Sequence, residues 1–469
     1  MIHKPIPNSK PSTAYIDGLR GLLSIIIFNA HLTPVIILGY DKVSRSQIST
    51  SPRNVLDIPL VASCVNNWVL FTIPILKLVY SASPAVCLFF AISGYVMSLK
   101  WVRYMNHRSL TSEINSARMF TDFGSSIFRR TLRLSLLAMA SMIIPFVLVK
   151  TGFFDRTVVQ QHGLTKLERG MRFWLEQWEQ FPVRRESWWE QTCDLVQNCA
   201  RISTVFMQRR DEAFSPRYNP VLWTIKADLR ASLALTVTHL ALLGTKRSRR
   251  LQILAALTVL GVAVGSLECP LFWAGWIIAE IHHAAEQTPL AQGKGTGQSR
   301  QKTNTAGVDT FGKTVVLALG CYIASYPTWK PEKAPMFNNF HMMTPGLVVP
   351  PRTWHSFGAV LVLYSLRDVP LARRICESSV AQFLGTHSFA IYLIHFSLVI
   401  SFGPDLFSWV WSRTGHEDLQ SLAVGFGITY SILFMAVLLT AAIFRSFIES
   451  PINKCVDSLY RSTSVRKEA

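Results

Sequence analysis

The chain has 469 residues, 49% of them hydrophobic and only 16% charged, with a formal net charge of +19. A soluble chain carries about 25% charged residues, so too few are present here to coat several soluble domains. The shortage comes from long apolar runs, which places the chain in the membrane class. On a soluble protein the basic excess would suggest nucleic acid. Here it sits in short loops between apolar runs, with no nucleic-acid module and no basic-aromatic platform, so no nucleic-acid partner is expected.

A membrane-crossing helix needs about 20 mostly apolar residues. Candidate segments in chain order are 16–38, 84–99, 127–149, 219–243, 251–267, 270–285, 313–326, 353–366, 380–402 and 419–447. The expected fold is all-α, a polytopic transmembrane bundle of about ten spanning helices. Residues 1–15 form an N-terminal segment, 16–449 the transmembrane domain and 450–469 a tail. The first apolar run is too long for a cleavable signal and lacks a cleavage site, so it reads as an anchor. Segment 68–80 is apolar but carries Pro74 and Lys77, and reads as re-entrant or interfacial.

Residues 150–217 form a long loop holding Trp174, Trp178, Trp188 and Trp189. It lies as amphipathic helices on the membrane surface or caps a substrate site. Its Cys193 and Cys199 can pair only if the loop faces an oxidising compartment. Residues 286–312 are polar, Gly-rich and basic, and read as a flexible linker. Lys4, Lys100, Lys246, Lys294, Arg367 and Lys454 mark the Lys/Arg-rich side, which places both termini in the cytosol. No repeat suggests an inverted-repeat transporter.

Ionisable side chains inside spans are expensive, so each is a functional candidate. The first span contains Asp17, Arg20 and His31. Arg20 and His31 fall on nearly the same helix face, about 16 Å apart along the axis. Arg20 can pair with Asp17 one turn away. Alternatively, Arg20 snorkels and His31 only bonds a neighbouring helix. The third span opens with Arg129, Arg130 and Arg133. Arg130 and Arg133 share a face and can clamp phosphates, or serve as plain positive-inside anchors.

The fourth span reads Trp223-Thr224-Ile225-Lys226-Ala227-Asp228. Asp228 can pair with a basic residue of the first or third span, in a catalytic or a structural role. In the ninth, Ser388, Tyr392 and His395 share a face, for catalysis or for interhelical hydrogen bonding. His282 and His283 read as interfacial. No histidine set has metal-ligand spacing, so no metal is expected.

The motifs, in order, are Tyr15-Ile16-Asp17-Gly18-Leu19-Arg20-Gly21 with His31, then Leu88-Phe89-Phe90-Ala91-Ile92-Ser93-Gly94-Tyr95, Arg130-x-x-Arg133 and Leu222-Trp223-Thr224-Ile225. Ala274-Gly275 with Ala279-Glu280, Ser388 through His395, and Glu449-Ser450-Pro451 complete the set. In this arrangement the chain resembles the acyltransferase 3 family of integral-membrane O-acyltransferases, with a long loop similar to fungal members. The resemblance implies an acyl-CoA co-substrate, usually acetyl-CoA, entering from the cytosol, and no permanently bound cofactor. It implies transfer to a hydroxyl of a sugar, glycan, lipid or small metabolite. Arg20, Arg130 and Arg133 would hold the CoA head, and His31 would be the general base, with Asp228 and His395 as further catalytic candidates. Asp17, Ser93, Trp223 and Tyr392 would support them.

One departure is visible. Similar sequences usually carry Pro and Glu where this chain has Lys226 and Asp228. The expected acceptor is a terpenoid or polyketide alcohol, then a polysaccharide, and the expected membrane is the endoplasmic reticulum or another endomembrane. A transporter or flippase of a glycan or proton-coupled solute, which also uses membrane His, Asp and Arg, is the alternative. An inactive membrane scaffold is a further one.

Overall fold

The computed structural model describes residues 13–46, 73–106, 113–153, 182–203, 216–287, 299–328, 334, 336–337, 351–416 and 418–463. Its helices are α1 (Ala14–Ser46), α2 (Ala82–Asn106), α3 (Glu113–Ser141), α4 (Ile143–Lys150), α5 (Trp188–Ser203), α6 (Trp223–Ala241) and α7 (Arg247–Ala263). They continue with α8 (Glu268–Gln287), α9 (Ser299–Ala324), α10 (Pro351–Leu366), α11 (Pro370–Glu377), α12 (Ser379–Thr414), α13 (Leu419–Phe444) and α14 (Ser450–Thr463). No strand occurs among the described residues.

Each predicted apolar segment is mostly helical, with 127–149 divided between α3 and α4 and 219–243 opening in a 3-10 turn, Pro220–Leu222. By length and composition, four stretches of described residues are long and apolar enough to cross a membrane: Ala82–Asn106, Phe120–Lys150, Ser379–Thr414 and Leu419–Ser462. The second joins α3 and α4 through a turn at Met142. Pro145 explains that break, because it lacks an N–H and its ring collides with the carbonyl four residues earlier.

α13 shows most plainly what surrounds the bundle. Leu422, Gly425, Thr429, Leu433, Val437 and Ala441 are buried on one face. Val424, Ile428, Ile432, Met435, Leu439 and Ile443 form a stripe at helical spacing on the other, all exposed. A soluble monomer does not leave such a stripe in water, whereas lipid tails solvate it at no cost.

Helices in lipid gain little from apolar burial against one another, so close van der Waals packing has to hold them. α1 and α12 achieve it through glycine. A Cβ at Gly21 would collide with the backbone of Gly385, and one at Gly385 with the carbonyl of Asp17. Contacts of Gly18 with Gln382, of Gly21 with Gly385 and of His31 with His395 all advance together, so the two helices run parallel. The same reading makes α2 and α8 parallel, through Phe90 on Phe272 and Asn106 on Glu280. It makes α9 and α10 antiparallel, through Lys313 on Tyr364 and Tyr326 on Trp354.

Several expectations change at the periphery. α9 begins at Ser299, so the second half of the stretch read as a flexible linker is helical, while residues 288–298 lie outside the described residues. The tail continues α13 through a π-helical turn, Arg445–Glu449, into α14. Segment 68–80 is described only from residue 73 and forms a 3-10 turn, Leu76–Tyr80. In the long loop, Trp174 and Trp178 lie outside the described residues, and Trp188 and Trp189 are exposed on α5.

Helix α5 is tied to the bundle by buried polar groups. Gln191 donates to the Tyr218 hydroxyl at 2.7 Å, and the Lys150 amine donates to the carbonyls of Arg185 (2.8 Å) and Glu186 (2.9 Å). Lys226 likewise donates to the Arg201 carbonyl at 3.4 Å in the last turn of α5, where a cation suits the helix dipole. Cys193 and Cys199 form no bond with each other. Six residues of helix separate their Cα atoms by about 9 Å, beyond disulfide reach. His282, near the end of α8, is buried and bonded to the Tyr95 hydroxyl at 3.1 Å and the Tyr364 carbonyl at 3.1 Å.

Candidate active site

His31 and His395 meet because α1 and α12 run parallel in close contact. His31 Nδ1 lies 2.8 Å from the Ile27 carbonyl and 3.2 Å from His395 Nε2. His395 Nδ1 lies 2.8 Å from the Tyr392 carbonyl and 3.1 Å from that of Ile391. A carbonyl only accepts, so both Nδ1 atoms carry hydrogen. His395 Nε2 is then an acceptor, and His31 Nδ1–H is shared between it and Ile27. In the neutral ring this puts the His31 lone pair on Nε2. Phe396 packs edge-on against the His31 ring, with centroids 5.0 Å apart, and limits its rotation.

His31 is 7% exposed and forms part of the wall of a cavity of about 240 Å³. Phe90, Cys87, Thr224 and Tyr392 line it as well, with Trp223 and Arg352. The Tyr392 hydroxyl donates to the Val221 carbonyl at 2.7 Å and contacts the Thr224 hydroxyl. Arg352 stacks on the Trp223 ring, 5.4 Å from its centroid. The lining is therefore mixed, with apolar side chains beside hydroxyls, the His31 imidazole, the Arg352 guanidinium and the Glu268 carboxylate. Such a chamber can take an uncharged organic group and withdraw a proton from it.

The arginines gather at other levels of the same helices. Arg130 bonds Asp228 at 2.7 Å, Ser232 at 2.9 Å and Ser93 at 3.3 Å. Asp228 thus has its basic partner on the helix of Arg130, and it is not among the residues that line the His31 cavity. Arg133, one turn on, turns to Asp457 of α14 at 2.6 Å, and Arg129 reaches the same carboxylate at 3.4 Å. Arg20 pairs loosely with Asp17 at 3.6 Å and lies in electrostatic range of Arg130, Asp228 and Glu449. Arg133 Nε, Glu449 Oε2 and Asn453 Oδ1 are buried without hydrogen-bond partners.

The sequence-predicted residues therefore divide into two groups. His31, His395, Tyr392 and Trp223 belong to the cavity end, and Arg20, Asp17, Arg130, Arg133, Asp228 and Ser93 to the arginine end. Ser388 only bonds the Gly385 carbonyl at 2.8 Å within its own helix.

Sequence reasoning missed several participants. Asp457 sits in the tail, where the sequence reading named no site residue. Asn219 is fully buried and donates to the Leu393 carbonyl at 2.7 Å, which pins the start of α6 to α12 beside His395. His355 lies inside segment 353–366, where the rule for ionisable residues in spans applies to it. Its partner Ser83 is 272 residues away and could not be found by spacing.

Comparison with known proteins agrees with the family that the sequence resembles. The chain is 95% identical over 469 residues to acyltransferase clz18 of Cochliobolus lunatus, covering 100% of both chains. It is 76% identical over 468 residues to acyltransferase R4 of a Phoma species, again covering 100% of both. It is 23% identical over 465 residues to the O-acetyltransferase PaAT-1 of Phomopsis amygdali, covering 93% of this chain and 82% of the relative. No solved structure matches it. The family described as an acyltransferase domain matches residues 13–445, nearly the whole chain, and the chain belongs to that acyltransferase 3 family.

Proposed function

We propose that this acyltransferase is a multi-pass membrane enzyme that moves an acetyl group from acetyl-CoA to a hydroxyl of a small metabolite of terpenoid or polyketide type. One observation carries the reading. His31 is held by Ile27 and His395 in the tautomer that leaves Nε2 basic, on the wall of a chamber with room for an acyl group and an alcohol.

In this reading His31 Nε2 takes the proton from the acceptor hydroxyl as its oxygen attacks the thioester carbonyl. The imidazolium formed is stabilised through Nδ1–H by Ile27 and by His395, which acts as a positioning residue. The Tyr392 or Thr224 hydroxyl would turn away from the Val221 carbonyl, which both contact, to donate to the tetrahedral oxyanion. Collapse expels the CoA thiolate, which recovers the proton. Arg20, Arg130 and Arg133 hold the CoA phosphates, exchanging their carboxylate partners for phosphate oxygens. The buried Arg133 Nε–H, a donor without an acceptor, supports an anion-binding role for that end.

Ten spans in an endomembrane, with both termini cytosolic, suit this reading. The parallel pairs α1 with α12 and α2 with α8 have the directions that such a topology requires. Named relatives called acyltransferases, one of them an O-acetyltransferase, support the chemistry. The test is to incubate membranes containing the protein with acetyl-labelled acetyl-CoA and an extract of candidate alcohols. Label should appear as an acetyl ester in the extract. Turnover only with a longer-chain acyl-CoA, or transport of a solute without ester formation, would contradict it.

A further inference from the structure

The same chamber has a second imidazole on its periphery. Ser83 lies in the first turn of α2 and lines the cavity that His31 lines. Its hydroxyl is 2.8 Å from His355 Nδ1, and His355 Nε2 is 2.8 Å from the Tyr326 carbonyl. The carbonyl forces Nε2 to carry the hydrogen, so neutral His355 has its lone pair on Nδ1 and Ser83 must donate to it. A hydroxyl donating to an imidazole that a third group orients is the arrangement of an activated nucleophile. His355 is 2% exposed, so solvent does not compete for that lone pair. Arg352 and Glu268 line the same cavity.

A serine–histidine bond between helices is often only structural, and the molecule contains such a case for comparison. Ser98 and His239 are 3.1 Å apart, but both are almost fully buried, with His239 packed on Trp276 at 4.2 Å and near Trp101 at 5.8 Å. Nothing can reach that hydroxyl. Ser83 differs in being half-buried and part of a cavity wall.

We propose that Ser83, activated by His355, is a second nucleophile that accepts an acyl group in the chamber. This rests on reading the cavity as the acyl-transfer chamber. Ser83 Oγ attacks the carbonyl of an acyl thioester, forming a C–O bond, while its proton passes to His355 Nδ1. The C–S bond breaks and the thiolate takes that proton, leaving an acyl-serine ester. An alcohol then attacks the ester carbonyl and its proton goes to His355. The bond to Ser83 breaks and the proton returns to Oγ, so the enzyme ends unchanged and the alcohol leaves acylated.

The experiment uses the full-length purified protein, a small alkyl fluorophosphonate as probe, and peptide mass spectrometry to find the modified residue. Phosphonylation of Ser83 in the wild-type chain is expected, falling at least tenfold in His355→Ala and disappearing in Ser83→Ala. It should persist in His31→Ala and in the sealed-pair control Ser98→Ala. Absence of label on Ser83 in the wild-type chain, which needs no variant to fold, overturns the proposal. Undiminished labelling of Ser83 in His355→Ala overturns the activation by His355. Label on Ser83 without acetyl-CoA turnover would leave this nucleophile standing and remove the transferase reading. Turnover without label would do the reverse.

Discussion

The two ends of the candidate site are built on opposite rules. At the arginine end, Arg20, Arg130 and Arg133 are each matched by a carboxylate, and the partners come from three helices, α1, α6 and α14. At the cavity end, neutral imidazoles and hydroxyls are held by backbone carbonyls. The difference follows from what each end can exchange. An ion pair that is partly solvated costs little to replace by another anion, so carboxylates can act as placeholders for phosphate. A tautomer fixed by a carbonyl costs a buried hydrogen bond to change, so His31 and His395 stay poised for one proton transfer. One end is suited to binding and release, and the other to chemistry.

That contrast can be broken or sharpened by substitution. The largest effect belongs to His31→Ala, which should lower direct transfer by about 10³-fold or more by removing the proposed general base, any residual ester formation passing through Ser83. His395→Ala should lower kcat by roughly 10–100-fold through loss of the Nδ1 acceptor that steadies His31, as read from initial rates at saturating donor. His395→Gln, which offers an acceptor, should recover part of it, and no recovery would argue for a role other than positioning. Arg133→Ala should raise KM for acetyl-CoA about tenfold with a smaller change in kcat, since it removes one charge-assisted contact.

Asp228→Asn leaves the Arg130 guanidinium with a weaker acceptor in a partly buried site. It should destabilise the solubilised protein by about 1–2 kcal/mol, discounted for the solvent that reaches Arg130, and be visible as a lowered melting temperature. The smallest effect is Asp457→Asn. It should lower KM for acetyl-CoA by roughly twofold if the carboxylate competes with phosphate, and an increased KM would show that Asp457 only positions the arginines.

Much of this was legible in the sequence. The helices were, because apolar length is a strong signal and the bilayer sets it. Arg20, His31, Arg130, Arg133 and His395 stood out because charge inside an apolar run is rare. The assembly of the site was not legible. The His31–His395 contact depends on Gly21 and Gly385 touching across 364 residues, and single glycines in a helix look like weak helix formers rather than packing devices. Lys226 resisted explanation for the same reason, since its partner is a carbonyl at the end of a helix in the long loop. The role of α14 was hidden because a polar amphipathic tail resembles any surface helix until Asp457 is seen on Arg133.

The division of labour is tested most directly by measuring kcat and the Kd for acetyl-CoA side by side in His31→Ala and Arg133→Ala membranes. The account predicts that the histidine variant binds donor normally and fails to turn over, while the arginine variant binds weakly and turns over at high donor concentration. Loss of donor binding in His31→Ala with turnover otherwise intact would contradict it.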